Sequence, residues 1–152
     1  MRKQKGFSLI ELLIVVAIIL IIAAIAVPNL LRSRMAANEA SAVGSTRTLI
    51  SSEFAYYSTF GGGASYATLT QLGSQNMIDP VLASGTKSGY SVQVTTTGTN
   101  GNEFFIGAAP LQIGTTGSRA FCSTEDGVIR YTSNGVVPGG HDPCIGTNTV
   151  LQ

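Results

Sequence analysis

The sequence predicts an α+β protein: a long amino-terminal helix with a membrane-spanning first half, packed on a small antiparallel β-meander, with a disulfide-stapled carboxy-terminal region. Three observations carry this prediction. Leu12 to Val27 is an apolar run without one polar residue. From Phe7 to about Phe60 the chain has no glycine but Gly44 and no proline but Pro28, so nothing ends a helix before Gly61-Gly62-Gly63 does. Beyond that point, short segments alternating apolar and polar residues are separated by glycine-rich turns, the pattern of antiparallel strands.

At 152 residues there is room for one span and one small domain. Charged residues make up 11% and hydrophobic residues 44%, a balance natural for a chain that hides a helix in lipid. Arg2, Lys3 and Lys5 precede the span and hold the amino terminus on the cytoplasmic side. Arg32 and Arg34 follow it and oppose that bias only weakly, so the bulk of the chain is expected to be exported. Without residues 1–6, six basic side chains face eight acidic ones, a formal −2. No basic stripe remains to support constitutive nucleic-acid binding. Cys122 and Cys144 are the only cysteines, and both fall in the exported part, where a disulfide forms and persists. Such a bridge is worth ~3 kcal/mol in the chain-entropy model. Two buried free thiols are the plainer alternative. A zinc site lacks ligands, because His141 is the one histidine at hand.

Each element follows in order. Residues 1–6 read as a basic leader, 7–31 as the hydrophobic part of the helix, and 32–60 as its amphipathic continuation. At 1.5 Å per residue such a helix extends roughly 80 Å, well beyond a bilayer of ~30 Å, so its second half has work outside the membrane. There Leu31, Met35, Val43, Ile50, Phe54 and Tyr57 recur at helical spacing and predict one stripe against a sheet. Arg32, Arg34, Asn38, Glu39, Arg47 and Glu53 fall between them and are expected on the remaining face. Pro28 removes a hydrogen bond inside the helix, and a kink near Ala24 to Pro28 is expected. Residues 61–88 form a loop with one short helix around Leu69 to Ser74. Residues 89–132 hold two hairpins. In the first, Tyr90, Val92 and Val94 alternate with polar residues, turn at Gly98 to Gly101 and return over Glu103 to Ala109. In the second, Ser118 to Ser123 and Val128 to Thr132 are joined across Glu125-Asp126-Gly127. Four strands result, one face on the helix and the other, richer in Ser and Thr, toward solvent. Residues 133–152 lack strong periodicity.

The residues with most functional content are Lys5, Gly6, Phe7, Ser8, Leu9, Ile10 and Glu11, at the mouth of the apolar run. A carboxylate beside hydrocarbon is costly and marks a functional site whose partner should be named. This stretch resembles the type IV pilin superfamily, whose precursors carry a short basic leader ending in Gly, then Phe, then Glu four residues on. The resemblance implies that a prepilin peptidase cuts between Gly6 and Phe7 and methylates the new amino terminus of Phe7. It also implies that Glu11 of one subunit meets the Phe7 amine of another, neutralising two desolvated charges and setting the axial register of a helical homopolymer. Pro28 matches the family too, where the helix locally unwinds as subunits leave the membrane for the filament. The carboxy-terminal region around Cys144 corresponds to the disulfide-bounded region, and Ile78 to Tyr90 and Gly127 to Thr132 look similar to heads of bacterial major pilins. The implied partners are the chain itself, the prepilin peptidase, an inner-membrane assembly platform and its cytoplasmic ATPase. The implied location is the inner membrane as precursor, then an extracellular pilus. An ordinary signal peptide fits poorly, since its apolar region spans about 7–15 residues and ends in a small-x-small site.

Other readings are weaker. His141 with Asp142 is half of a catalytic base at most, neighbours in sequence are not expected to face one another, and no nucleophile elbow is present. The protein is therefore expected not to be an enzyme and to need no cofactor. There is no phosphate loop, so ATP used in assembly is hydrolysed by a partner. Asp126 and Asp142 read as turn acids rather than Ca²⁺ ligands, so no metal site is expected. Phe54, Tyr56, Tyr57 and Phe60 read as core between helix and sheet rather than a path for electrons. Within the superfamily the alternative is a type II secretion pseudopilin. Outside it, the alternative is a single-span anchored periplasmic binding domain, which gains nothing from Glu11.

Overall fold

The structure is a computed structural model that describes residues 6–146 and 149–151. The leader cations Arg2, Lys3 and Lys5 lie outside the described residues. The chain divides into two units, Met1–Arg34 and Met35–Gln152.

In the first unit the chain enters helix α1 (Leu9–Thr59), which continues into the second unit. By length and composition it is able to cross a membrane. Its large apolar side chains from Leu9 to Leu31 are all exposed. The helical assignment runs unbroken through Pro28.

The second unit is built on a five-stranded antiparallel meander in the order β1-β2-β3-β4-β5. Its strands are β1 (Thr86–Lys87), β2 (Tyr90–Thr97), β3 (Glu103–Pro110), β4 (Ala120–Thr124) and β5 (Arg130–Thr132). Both expected hairpins are present, and β1 is an additional short edge strand. The β2–β3 register runs from Tyr90 opposite Pro110 to Thr97 opposite Glu103. Its turn is a short 3-10 segment, Thr99–Gly101, preceded by Gly98; Gly98, Asn100 and Gly101 take positive φ, which Gly and Asn tolerate best. The α1 carboxy terminus closes at the triple glycine: Gly61 donates to Tyr56 O and Gly63 to Tyr57 O, with Gly62 and Gly63 at positive φ. Helix α2 (Leu69–Ser74) sits where the sequence places it, behind a capping box of Thr68 and Gln71. Helix α3 (Pro80–Ala83), not expected from the sequence, is capped by Asp79 with proline in its first turn.

The stripe of α1 that meets the sheet differs from the one expected. The buried positions are Glu39, Ala42, Ser45, Thr46, Leu49, Ile50, Ser52 and Glu53. Of the anticipated stripe only Ile50 is fully buried, while Leu31 and Phe54 are exposed. Small side chains at 42, 45 and 46 let the helix approach the sheet, and Leu49 and Ile50 then pack with Tyr90, Val92, Phe104, Ile106 and Phe121 in one core. Of the α1 aromatics expected in that core, Tyr56 packs against it, whereas Phe54 and Phe60 are 43% and 58% exposed. They form a rim in which Tyr57 stacks on Tyr66 at 4.7 Å and Tyr66 meets Phe104 edge-on at 4.8 Å.

The far face of the sheet is also corrected. Ser91, Gln93 and Thr95 of β2 are exposed as expected, but β4 is buried on both faces. Phe105 and Cys122 lie under Cys144 and Val137 in a second apolar cluster. Residues 133–146 thus form a cover, ending in helix α4 (His141–Ile145). Tyr131 then donates to Thr149 O and Leu151 to Ile129 O, so the last described residues pair along β5.

Candidate functional site

The amino-terminal site is organised by the start of α1. Ser8 immediately precedes the helix, and its backbone N–H donates to Oε2 of Glu11 at 2.8 Å. Ser-x-x-Glu with this bond is the reciprocal half of a capping box. The carboxylate satisfies a backbone donor that would otherwise be orphaned at the helix end, and its charge is favoured by the helix dipole there. Phe7 is highly exposed one residue before the cap. Glu11 is therefore held by its own chain while keeping further lone pairs to accept from a cation.

In the second unit the Cys122–Cys144 disulfide is formed, with Cα atoms 6.1 Å apart, and both residues are fully buried. His141, at the start of α4, lies between two carboxylates: Nε2 is 2.8 Å from Glu125 and Nδ1 is 2.8 Å from Asp142. The expectation that residues 141 and 142 would not face one another is thus overturned, because they sit at a helix end rather than inside a regular element. Asp142 and Glu125 together raise the His141 pKa against the opposing effect of burial. Asp126 behaves as a turn acid: it accepts from Thr124 Oγ1 and Val128 N–H and pairs with Arg130 at 2.6 Å. Asp126 and Asp142 thus engage separate partners. Among the described residues no group of three or more His, Cys, Asp or Glu side chains is placed to hold a metal ion.

Two acids escaped the sequence reading. Glu39, expected on the open face of α1, is buried and accepts at Oε1 from the Ser118 N–H, the Ser118 hydroxyl and the Arg119 N–H. Its Oε2 pairs with the Arg119 guanidinium at 2.8 Å. The guanidinium in turn lies over the Phe121 and Tyr131 rings, at 5.6 and 5.2 Å from their centroids. Burial works to raise the Glu39 pKa, but these donors outweigh it and hold the carboxyl below its ordinary range. Close by, the Tyr90 hydroxyl donates to Arg119 O at 2.8 Å and crosses the place where a side chain at Gly117 would stand. Glu53 is wholly buried and accepts one bond, from Ala67 N–H at 2.9 Å. The available signal was spacing: Glu39, Ala42, Thr46, Leu49 and Glu53 share one face over about four turns, a stripe that ranking by hydrophobicity passes over.

An apolar helix opened by a Gly-Phe-Ser-x-x-Glu motif continues into a disulfide-closed helix-on-sheet unit, and the motif is the part of the chain that resembles the type IV pilin superfamily. Residues 1–27 match the family model described as the prokaryotic N-terminal methylation motif. The chain is similar to the type IV wide pilus major component PilA4 of Thermus thermophilus, 64% identical over 39 residues, which cover 26% of this chain and 30% of that protein. It is also similar to the fimbrial protein EcpB of Eikenella corrodens, 52% identical over 60 residues, covering 37% of each. The chain thus spans about a third of the length of the curated relatives it matches. No solved structure matches it. The motif and both relatives support a type IV pilin, a structural rather than an enzymatic family.

Proposed function

We propose that this chain is the structural subunit of an extracellular type IV pilus filament, cut by prepilin peptidase between Gly6 and Phe7, methylated on Phe7 and polymerised through its amino-terminal helix. The observation that carries this reading is Glu11, the one polar residue in a helix that is otherwise apolar from Leu9 to Val27. A surface apolar all round is covered either by lipid or by like helices. The precursor resides in the inner membrane. The same helices then pack together in the filament, where Glu11 accepts the Phe7 amine of a neighbour. Residues 32–60 join that packing, and local unwinding at Pro28 lets the helix adapt. The work of assembly comes from an inner-membrane platform and a cytoplasmic ATPase. The Cys122–Cys144 bridge favours a pilus over a type II secretion pseudopilin, whose major type usually lacks such a pair.

The test separates a polymer subunit from a simple anchor. Glu11→Ala removes a costly charge, so membrane insertion is unchanged or improved. It also strands the Phe7 amine of the adjoining subunit, a penalty of about 3–5 kcal/mol per buried interface. Sheared surface filaments should disappear while the membrane pool rises. Glu11→Gln should fail as completely if charge neutralisation dominates, and partly if hydrogen bonding does. A normal filament yield from Glu11→Ala would return the chain to the class of anchored binding domains.

A further inference from the structure

Glu53 is a titratable group that neither the amino-terminal site nor the disulfide explains. It lies on the buried stripe of α1 with none of its surface exposed. Oε2 accepts the Ala67 N–H, whereas Oε1 is buried and has no hydrogen-bond partner among the described residues. Ala67 is itself fully buried, and it belongs to the segment of residues 64–68 that follows the glycine stop. Gly61 and Gly63 stay tied to Tyr56 O and Tyr57 O of α1, and beyond them the backbone of residues 64–68 meets the sheet turn where Tyr66 N–H donates to Gly101 O at 2.8 Å. The neighbouring groups give an anion no help. From the segment comes the Tyr66 phenol, on which both Glu53 and Glu125 of the β4–β5 turn act. From α1 comes Tyr57, stacked on Tyr66. Among the described residues no basic side chain pairs with Glu53.

We infer that Glu53 is a proton-operated latch: as the neutral acid it seats residues 64–68 on α1, and on losing its proton to solvent base it releases them, freeing the Tyr57–Tyr66–Phe104 ring cluster. A buried carboxylate with one hydrogen bond and no cation costs far more than the neutral acid. Burial accordingly pushes the Glu53 pKa up to about 7, with the Ala67 bond opposing. The sign follows from that. The closed form holds a proton that the open form, with an ordinary value of 4.5, has already given up. Closure is therefore fully supported below 4.5 and weakens as pH rises through about 7. The inference concerns the second unit alone and does not depend on filament assembly.

The test is amide hydrogen exchange of the full chain in detergent micelles, corrected for intrinsic exchange, at about pH 5.5 and about pH 8.5. Protection of residues 64–68 should fall at least about tenfold across that interval in the wild type and stay level in Glu53→Gln. Equal loss in both proteins, or constant protection in the wild type, would overturn the latch. Should Glu53→Gln not fold, the infrared carbonyl band of a carboxylic acid in the wild type decides. It should be present at the lower pH and vanish in step with loop opening, and a Glu53 already ionised there ends the proposal.

Discussion

At the scale of single residues, the informative groups are acids whose surroundings push their pKa values in opposite directions. Glu39 and Glu53 share one face of α1, yet Glu39 meets Arg119 and three further donors while Glu53 meets one. Hydrogen bonding wins at Glu39 and burial wins at Glu53. Glu39→Ala leaves Arg119 and two backbone donors without their acceptor, and should destabilise the second unit by about 2–4 kcal/mol. Because the folded pKa lies below the ordinary 4.5, this contribution is present above 4.5 and is lost as pH falls through the folded value. Thermal unfolding of the detergent-solubilised chain across the acid range should therefore show a steeper loss of stability in wild type than in the variant. Parallel curves would show that the Glu39 clamp contributes nothing. Neither acid's role was legible in the sequence, since side-chain type and helical spacing reveal a shared face but not the donors that another part of the chain brings to it.

At the scale of elements, local signals lie within the sequence, although the Thr68–Gln71 capping box was not among those predicted, and long-range cover does not. The glycine stop, the capping box before α2 and both hairpin turns are short-range chemistry, written within a few adjacent residues. The Asp79-Pro80 pair that starts α3 carries the same kind of signal and was passed over. The cover of residues 133–146 on Phe105 and Cys122 has no periodicity to reveal it, because its position is set by one covalent bond and one apolar cluster. Cys122→Ser with Cys144→Ser should cost ~3 kcal/mol and open that cover. Limited proteolysis should then cut within residues 133–146 first, while α1 and the β2–β3 hairpin stay intact. A digestion pattern identical to wild type would mean that the apolar cluster and the His141–Glu125 contact hold the cover alone.

At the scale of the whole molecule, the amino-terminal motif makes a covalent prediction. If Gly6 precedes the cut, mass analysis of the extracted protein should find chains beginning at methylated Phe7, and a bulky residue in place of Gly6 should leave the leader attached. Recovery of a surface filament whose subunits retain residues 1–6 would refute the processing step. The sequence by itself predicted the apolar helix, the charged motif at its start, the glycine stop and a meander, and it favoured a bridge between its two cysteines. Each rests on periodicity, on local turn chemistry or on there being two cysteines to pair. Only the tertiary structure decided which stripe of α1 is buried, which acid has its pKa raised and which lowered, and that the far face of the sheet is covered. Those outcomes depend on what distant segments bring to the same place: Ser118 and Arg119 to Glu39, Ala67 to Glu53, Val137 to Phe105. Desolvation and its compensation are properties of that meeting, and no one segment carries them alone.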